Sequence, residues 1–157
     1  MSAAIHRFRA TCTWTGTTAV GVDAYDRTHG ASTPPAVAEQ TLSADPVFHG
    51  DPELPNPEQL LVLAASSCQL LSFLAVAARA RVDVVGYHDA AEGVMPEDDR
   101  PMRITRIVLQ PHISVAGDVD DERLTHLCEV AHEHCFIANS LSTEVVVEPT
   151  FIRVPTV

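Results

Sequence analysis

"NPEQLLVLAASSCQLLSFLAVAARA", Asn56 to Ala80, decides how this chain is read. No charged side chain falls between Leu60 and Ala78, yet a thiol, Cys68, sits in the middle, directly after Ser66 and Ser67. The start of the stretch is written in capping residues. Asn56 suits the N-cap, Pro57 the first helical position, where a missing N–H costs nothing, and Gln59 the third, from which an amide reaches back to the cap. A helix to about Arg81 is expected. Nineteen uncharged residues are nominally enough to cross a bilayer. However, Ser66, Ser67, Gln69 and Ser72 interrupt the run, and Asp51, Glu53 and Glu58 precede it where basic residues would be expected. The reading is a core helix of a globular domain, buried on nearly all sides. Serines also cap helices. A break at Ser66–Ser67 would place Cys68 in the first turn of a second helix, where free N–H groups and the helix dipole favour the thiolate. An unbroken helix would leave it mid-helix and inert, and spacing alone leaves both open.

Strand patterns surround this helix. In "RFRATCTWT", Phe8, Ala10, Cys12 and Trp14 share one face and alternate with polar residues, as in a half-buried strand. Gly16 and Thr17 make a turn, and "TAVGVDAY" reads as the second strand of a hairpin. "DRTHGASTPP" reads as a polar loop, and a weaker strand follows near Val37–Leu42. Beyond the helix, "VDVVGYHDAAEGVM" reads as a strand and "MRITRIVLQPHISVAG" as one long strand bent at Pro111. "DVDDERLTHLCEVAHEHC" is amphipathic: Asp118 or Asp120 can cap it, and Leu124, Leu127, Cys128 and Ala131 form its apolar stripe. "CFIANSLS" is a short helical segment and "TEVVVEPTFIRV" a final strand. This order predicts an α+β fold over residues 1–157, one domain, with mostly antiparallel sheet around a buried central helix.

Composition narrows the chemistry. The 157 residues carry a formal net charge of -11, with ten arginines and no lysine. Such a surface repels nucleic acid and anionic membranes, and no lysine is present to form a Schiff base or a P-loop. "MSAAIHRFRATCTW" has no apolar leader core, so a cytoplasmic, reducing compartment is expected, where structural disulfides are rare. GxGxxG, P-loop, GxSxG and CxxC motifs are absent from the sequence. The four cysteines are therefore core residues, metal ligands or working thiols. Cys12 shares the apolar strand face and reads as a core residue, as does Cys128 on its helical stripe. Cys135 stands at a junction between two helical segments, as a mobile thiol or a buried one. Cys128, His132, His134 and Cys135 lie within eight residues, which raises a zinc-like set, although His134 points elsewhere on that helix.

"NPEQLLVLAASSC" and "AHEHCFIANS" together resemble the two motifs of the OsmC/Ohr family, the osmotically inducible and organic hydroperoxide resistance proteins. The cysteines of the two motifs lie 67 residues apart, in the family's order, and the resemblance covers nearly the whole chain. It implies an intertwined α+β homodimer and a thiol-dependent peroxidase for organic hydroperoxides, with hydrogen peroxide a poorer substrate. By the same resemblance Cys68 is the peroxidatic cysteine, Cys135 the resolving one, and Glu58 the carboxylate that orients an arginine beside the reactive sulfur. No cofactor is implied beyond an external thiol reductant, for instance a dithiol such as a lipoylated protein. Ohr-type members carry the arginine in the first hairpin turn. Here that turn, "TGTTA", has none, and Arg27 in "YDRTHG" is the candidate, with His29 two residues on. The departure places the chain among general OsmC-like members. Phe48, Phe73, Phe136 and Ile137 are candidate pocket walls or core residues. Glu58 and Cys68 are ten residues apart, about 15 Å along a straight helix, so the Ser66–Ser67 break and an arginine relay are linked expectations. Two alternatives stand beside the peroxidase: a non-catalytic dimeric binding module, and a metal-binding domain on Cys128, His132 and Cys135.

Overall fold

A computed structural model describes residues 3–155. Met1 and Ser2, which open the stretch read as lacking a leader, lie outside the described residues. The chain divides after Leu60 into two compact units.

The first unit holds a three-stranded antiparallel sheet of β1 (Thr11–Thr13), β2 (His29–Ser32) and β3 (Glu39–Leu42), with β2 in the centre. This corrects the expected hairpin. Residues 18–25 are turns rather than a strand: Gly21, at φ 96°, accepts the amides of Ala24 and Tyr25 on its carbonyl. A positive φ takes the chain out of extended geometry. The partner of β1 is instead "HGAS", read above as loop. Its residues have poor strand preference, but pairing on both sides overrides that. The expected burial of this face is also absent, with Phe8 94% and Trp14 39% exposed and Cys12 exposed rather than in a core.

Helix α1 spans Pro57–Arg79 without interruption. Its start is the expected capping box: Asn56 Oδ1 accepts the Gln59 amide at 2.9 Å, and Gln59 Oε1 accepts the Asn56 amide at 3.1 Å. The expected break at Ser66–Ser67 does not occur. Ala, Leu and Gln around the serines favour helix, and the Ser66 hydroxyl donates to Asp89 Oδ2 instead of capping a new turn.

In the second unit, β4 (Asp83–Asp89), β7 (Pro111–Ala116) and β9 (Thr150–Val154) form one sheet in the order β4-β7-β9. β5 (Glu92–Val94), β6 (Arg106–Leu109) and β8 (Glu144–Val147) form another, in the order β5-β6-β8. Three segments expected as single strands are thus each split between the two sheets, at Ala90–Ala91, Gln110 and Glu148–Pro149. The lateral order is the same on both sides. Antiparallel pairs β4–β7 and β5–β6 stand beside parallel pairs β6–β8 and β7–β9. Asp89 Oδ1 accepts the Gln110 amide at 2.7 Å, and the Glu148 amide donates to the Leu109 carbonyl at 2.8 Å, so the crossing points are bonded to one another.

Helix α1 buries every fourth residue, Ala65, Gln69, Phe73 and Ala77. Phe73 and Ala77 join Ile113 and Val115 of β7 with Leu124, Leu127, Cys128 and Ala131 of α2 (Asp121–Glu133) in the larger core. Ala65 joins Ile107 and Leu109 in a smaller one. β5 lies so close beneath α1 that a Cβ on Gly93 would fall 2.5 Å from Val62 Cγ2. Asp120 caps α2, its Oδ1 accepting the Arg123 amide at 2.7 Å. The opposite face of α1 is open in the single chain, Leu63 being 61% and Leu71 64% exposed, so the helix is not buried on nearly all sides. By length and composition alone α1 could cross a membrane. Its buried stripe packs instead on sheet and helix.

Candidate active site

The second unit brings Cys68 and Cys135 together. Cys68 lies in the middle of α1, half-buried, and Cys135 ends the turn after α2, 1% exposed. Both thiols are reduced, and Cys135 lies within hydrogen-bonding reach of Cys68. Burial pushes the Cys135 thiol above its usual range. The Ala138 amide pulls the other way, the Cys68 contact pushes it up again, and the Ile137 amide adds a smaller downward pull. Cys135 is the N-cap of α3 (Phe136–Ser140), although no side-chain cap bond forms. The cysteine at a helix start is therefore Cys135, not Cys68, and its amides are outweighed by desolvation. A buried thiol with a raised pKa is the less suited of the two to make the first attack on a peroxide. Cys68 is the more accessible of the two.

The surroundings of the pair include residues that sequence reasoning missed. Gln69, 1% exposed, donates from Nε2 to the Cys128 carbonyl at 3.3 Å and so ties α1 to α2 beside Cys68. A single amide inside an apolar run was its only sequence signal. Asp89 holds Ser66 and Gln110 at once, and nothing in the sequence distinguishes it from other strand-end aspartates. Tyr87 is half-buried, with its hydroxyl buried and unpartnered among the described residues, and desolvation raises its pKa, with Asp89 contributing. Cys128 is a core residue as expected, 3% exposed, its thiol pushed up to about 12 mainly by burial. Cys128 and His132 share a small cavity of about 150 Å³, but among the described residues no three His, Cys, Asp or Glu side chains gather to hold a metal. His134 turns its Nδ1 to the Val130 carbonyl at 2.8 Å.

Arg27 and Glu58 fall in the first unit and line one cleft of about 450 Å³ with Cys12, Trp14, Tyr25, His29 and Phe48. The Arg27 guanidinium stacks 4.1 Å from the Tyr25 ring centroid and donates to the carbonyls of Tyr25, at 2.8 Å, and Val22. No ion pair joins it to Glu58 among the described residues. Glu58 sits in the first turn of α1, ten residues and about 15 Å of helix rise before Cys68. The four apolar candidates do not form one wall: Phe73 is in the core, Ile137 packs on the smaller core cluster, Phe136 is 81% exposed, and Phe48 alone lines the cleft.

The OsmC-like protein family matches residues 50–150, which include both cysteine motifs. The chain belongs to this family. The OsmC-like chain is 30% identical to an OsmC-like protein of unknown function from Vibrio cholerae, with a TM-score of 0.84 over 93% of this chain and 100% of that one. It shares its fold with an organic hydroperoxide resistance protein OsmC from Legionella pneumophila, at 16% identity and a TM-score of 0.67 over 95% and 98% of the two chains. It also shares it with the organic hydroperoxide resistance protein OhrB of Bacillus subtilis, at 17% identity and 0.60 over 95% and 100%. No curated protein matches the chain.

Proposed function

We propose that this OsmC-like chain is a two-cysteine peroxidase that reduces organic hydroperoxides, and hydrogen peroxide less well. The observation that carries the proposal is the half-buried Cys68 thiol beside the buried Cys135 thiol, which burial shifts above its usual range. The Cys68 thiolate attacks the distal peroxide oxygen. The O–O bond breaks, Cys68 becomes a sulfenic acid, and the alkoxide leaves with a proton as the alcohol. The Cys135 thiol then condenses with the sulfenic acid, releasing water and forming the Cys68–Cys135 disulfide. An external thiol, such as a dithiol on a lipoylated protein, reduces it by exchange. Glu58 is proposed to orient an arginine, with Arg27 the candidate, whose positive charge favours the Cys68 thiolate. The open leucine face of α1 supports a homodimer, and the acidic surface suits a cytoplasmic protein with neither nucleic-acid nor membrane partner.

Mixing reduced protein with cumene hydroperoxide is expected to consume two thiols per chain and link Cys68 to Cys135, as mapped by mass spectrometry. Peroxide consumption that survives Cys68→Ser would overturn the reading. A second reading, a non-catalytic dimeric module, is favoured by one observation: Arg27 is committed to carbonyls of its own loop. Under it, the peroxide would leave both thiols intact.

A further inference from the structure

One polar side chain interrupts the buried stripe of α1, and it is the residue next to Cys68. Gln69 is 1% exposed and lies between Ala65 and Phe73 on that stripe. Its Nε2 donates to the Cys128 carbonyl of α2 at 3.3 Å, and its Oε1 is buried with no partner among the described residues. An amide that makes one long bond and leaves its carbonyl unpaired stabilises less than an apolar side chain of the same shape. Packing alone therefore does not account for a glutamine at this position.

What the amide does fix is the separation of the two elements that carry the thiols. Cys68 is on α1 itself. Cys135 follows α2 and is held to its last turn, its amide donating to the His132 carbonyl at 3.1 Å. Asn139 Nδ2 donates to the Glu133 carbonyl at 2.9 Å and so ties α3 back to the same end. Cys135 therefore moves with α2. A second link joins the helices near the other end of α2, where Arg123 Nη2 donates to the Ala80 carbonyl, just after α1, at 2.8 Å. Of these two links, Gln69 is the one nearer the thiols. It adjoins Cys68, and its acceptor Cys128 precedes Cys135 by about 10 Å of helix rise.

We propose that Gln69 is a positioning residue for the second half of the peroxidase cycle, setting α2 at the distance from which Cys135 closes on oxidised Cys68. The proposal deepens the peroxidase reading and rests on it for the sulfenic acid that Cys135 resolves. In that step the Cys135 sulfur bonds to the Cys68 sulfur as the S–O bond breaks, and the hydroxide leaves with the Cys135 proton as water. The Cys135 sulfur is oxidised and the Cys68 sulfur is reduced to the disulfide level. A disulfide needs Cβ atoms about 3.5–4.5 Å apart, so a small shift of α2 along or away from α1 is felt there. Gln69 hydrogen-bonds to neither sulfur and takes no part in the first attack, which needs Cys68 alone.

The test uses the full chain carrying Gln69→Met, which keeps nearly the same side-chain shape and removes both polar ends. Rapid mixing with cumene hydroperoxide, quenched with dimedone, separates the two steps. Formation of the Cys68 sulfenic acid is expected to keep its rate. Its conversion to the disulfide is expected to slow about tenfold, within the loss of up to about 10²-fold that a 1 Å misplacement brings. The urea midpoint is expected to hold or rise, because the unpaired carbonyl is gone. Arg123→Met, which removes the far link, is expected to leave the second step unchanged. Oxidised glutathione gives a readout without peroxide. It forms the Cys68–Cys135 disulfide by exchange, releasing two molecules of glutathione, and Gln69→Met is expected to shift that equilibrium about tenfold toward the dithiol. The proposal is overturned if Gln69→Met closes the disulfide as fast and as completely as the unsubstituted chain, or if glutathione forms no such disulfide in either. It is also overturned if the slowing comes with a lower urea midpoint or is matched by Arg123→Met, since both mark a general loosening of the helix pair. A glutathione shift without any sulfenic acid after peroxide would overturn the peroxidase reading and leave Gln69 as the residue that sets the pair.

Discussion

Phe73→Ala tests the packing that holds Cys68 in place. Phe73 is fully buried on α1, one turn beyond Gln69, with its ring centroid 6.1 Å from that of Tyr87. Ile113, Val115 and Leu124, each 0% exposed, belong to the same cluster. Both sides of the site are regular structure, so the gap cannot close by a loop moving in. Truncation at such a site removes the transfer free energy of the ring and leaves a cavity, together about 3–5 kcal/mol. For a chain of this length, about 2–4 °C per kcal/mol then gives a melting point roughly 6–20 °C lower. Urea titration is the direct assay: the midpoint should fall while the slope, which reports the area exposed on unfolding, stays the same. A loss below about 1 kcal/mol would refute the reasoning, because values that small belong to surface positions. The buried stripe of α1 would then not be the face that anchors the helix.

The other face of α1 gives the contrasting prediction. Leu71→Ala, at a position 64% exposed in the single chain, should change the unfolding of dilute protein by no more than about 0.5 kcal/mol while weakening self-association, read by analytical ultracentrifugation. Asn56→Ala removes the half of the capping box made by its side chain, the bond that Oδ1 accepts from the Gln59 amide, and should cost about 1 kcal/mol in a urea titration. Cys135→Ser should leave the first turnover with peroxide intact but stop the disulfide, so that a dimedone probe labels Cys68 sulfenic acid. For Cys128 the sign is set by burial, which raises its thiol from the ordinary 9.0 to about 12. The unfolded chain therefore loses this proton first, and stability should fall by about 1.4 kcal/mol per pH unit between those values. Cys128→Ala should flatten that part of the profile.

Features fixed by neighbours in sequence were readable. The Asn56–Gln59 box, the Asp120 cap and the apolar stripe of α2 each depend on side chains three or four residues apart, and each is present. Features fixed by distant partners were not. Ser66 and Ser67 carry a capping signal, but Asp89, 23 residues away from Ser66, takes the hydroxyl and the helix continues. "TAVGVDAY" alternates like a strand, yet Gly21 at positive φ curls it, while "HGAS" becomes a central strand because chain on both sides pairs with it. Alternation also says which residues share a face but not which sheet they belong to, so the bend at Pro111 was legible, but the change of sheet there and at Glu148–Pro149 was not. In the candidate site, the cysteines were legible from their motifs. The bonds of Arg27 to its own loop were not.

The matched lateral order of β4-β7-β9 and β5-β6-β8 means that the second unit holds, in effect, one three-ribbon sheet creased along a transverse line through Asp89, Gln110 and Glu148. Ladders on either side resist shear, so the crease is where such a sheet can flex. Asp89 fastens that line to Ser66, two residues from Cys68. Flexing of the crease must therefore either carry the middle of α1 with it or break this hydrogen bond. The thiol is held from the middle of its helix, and lengthening or trimming the helix ends would leave its anchor where it is.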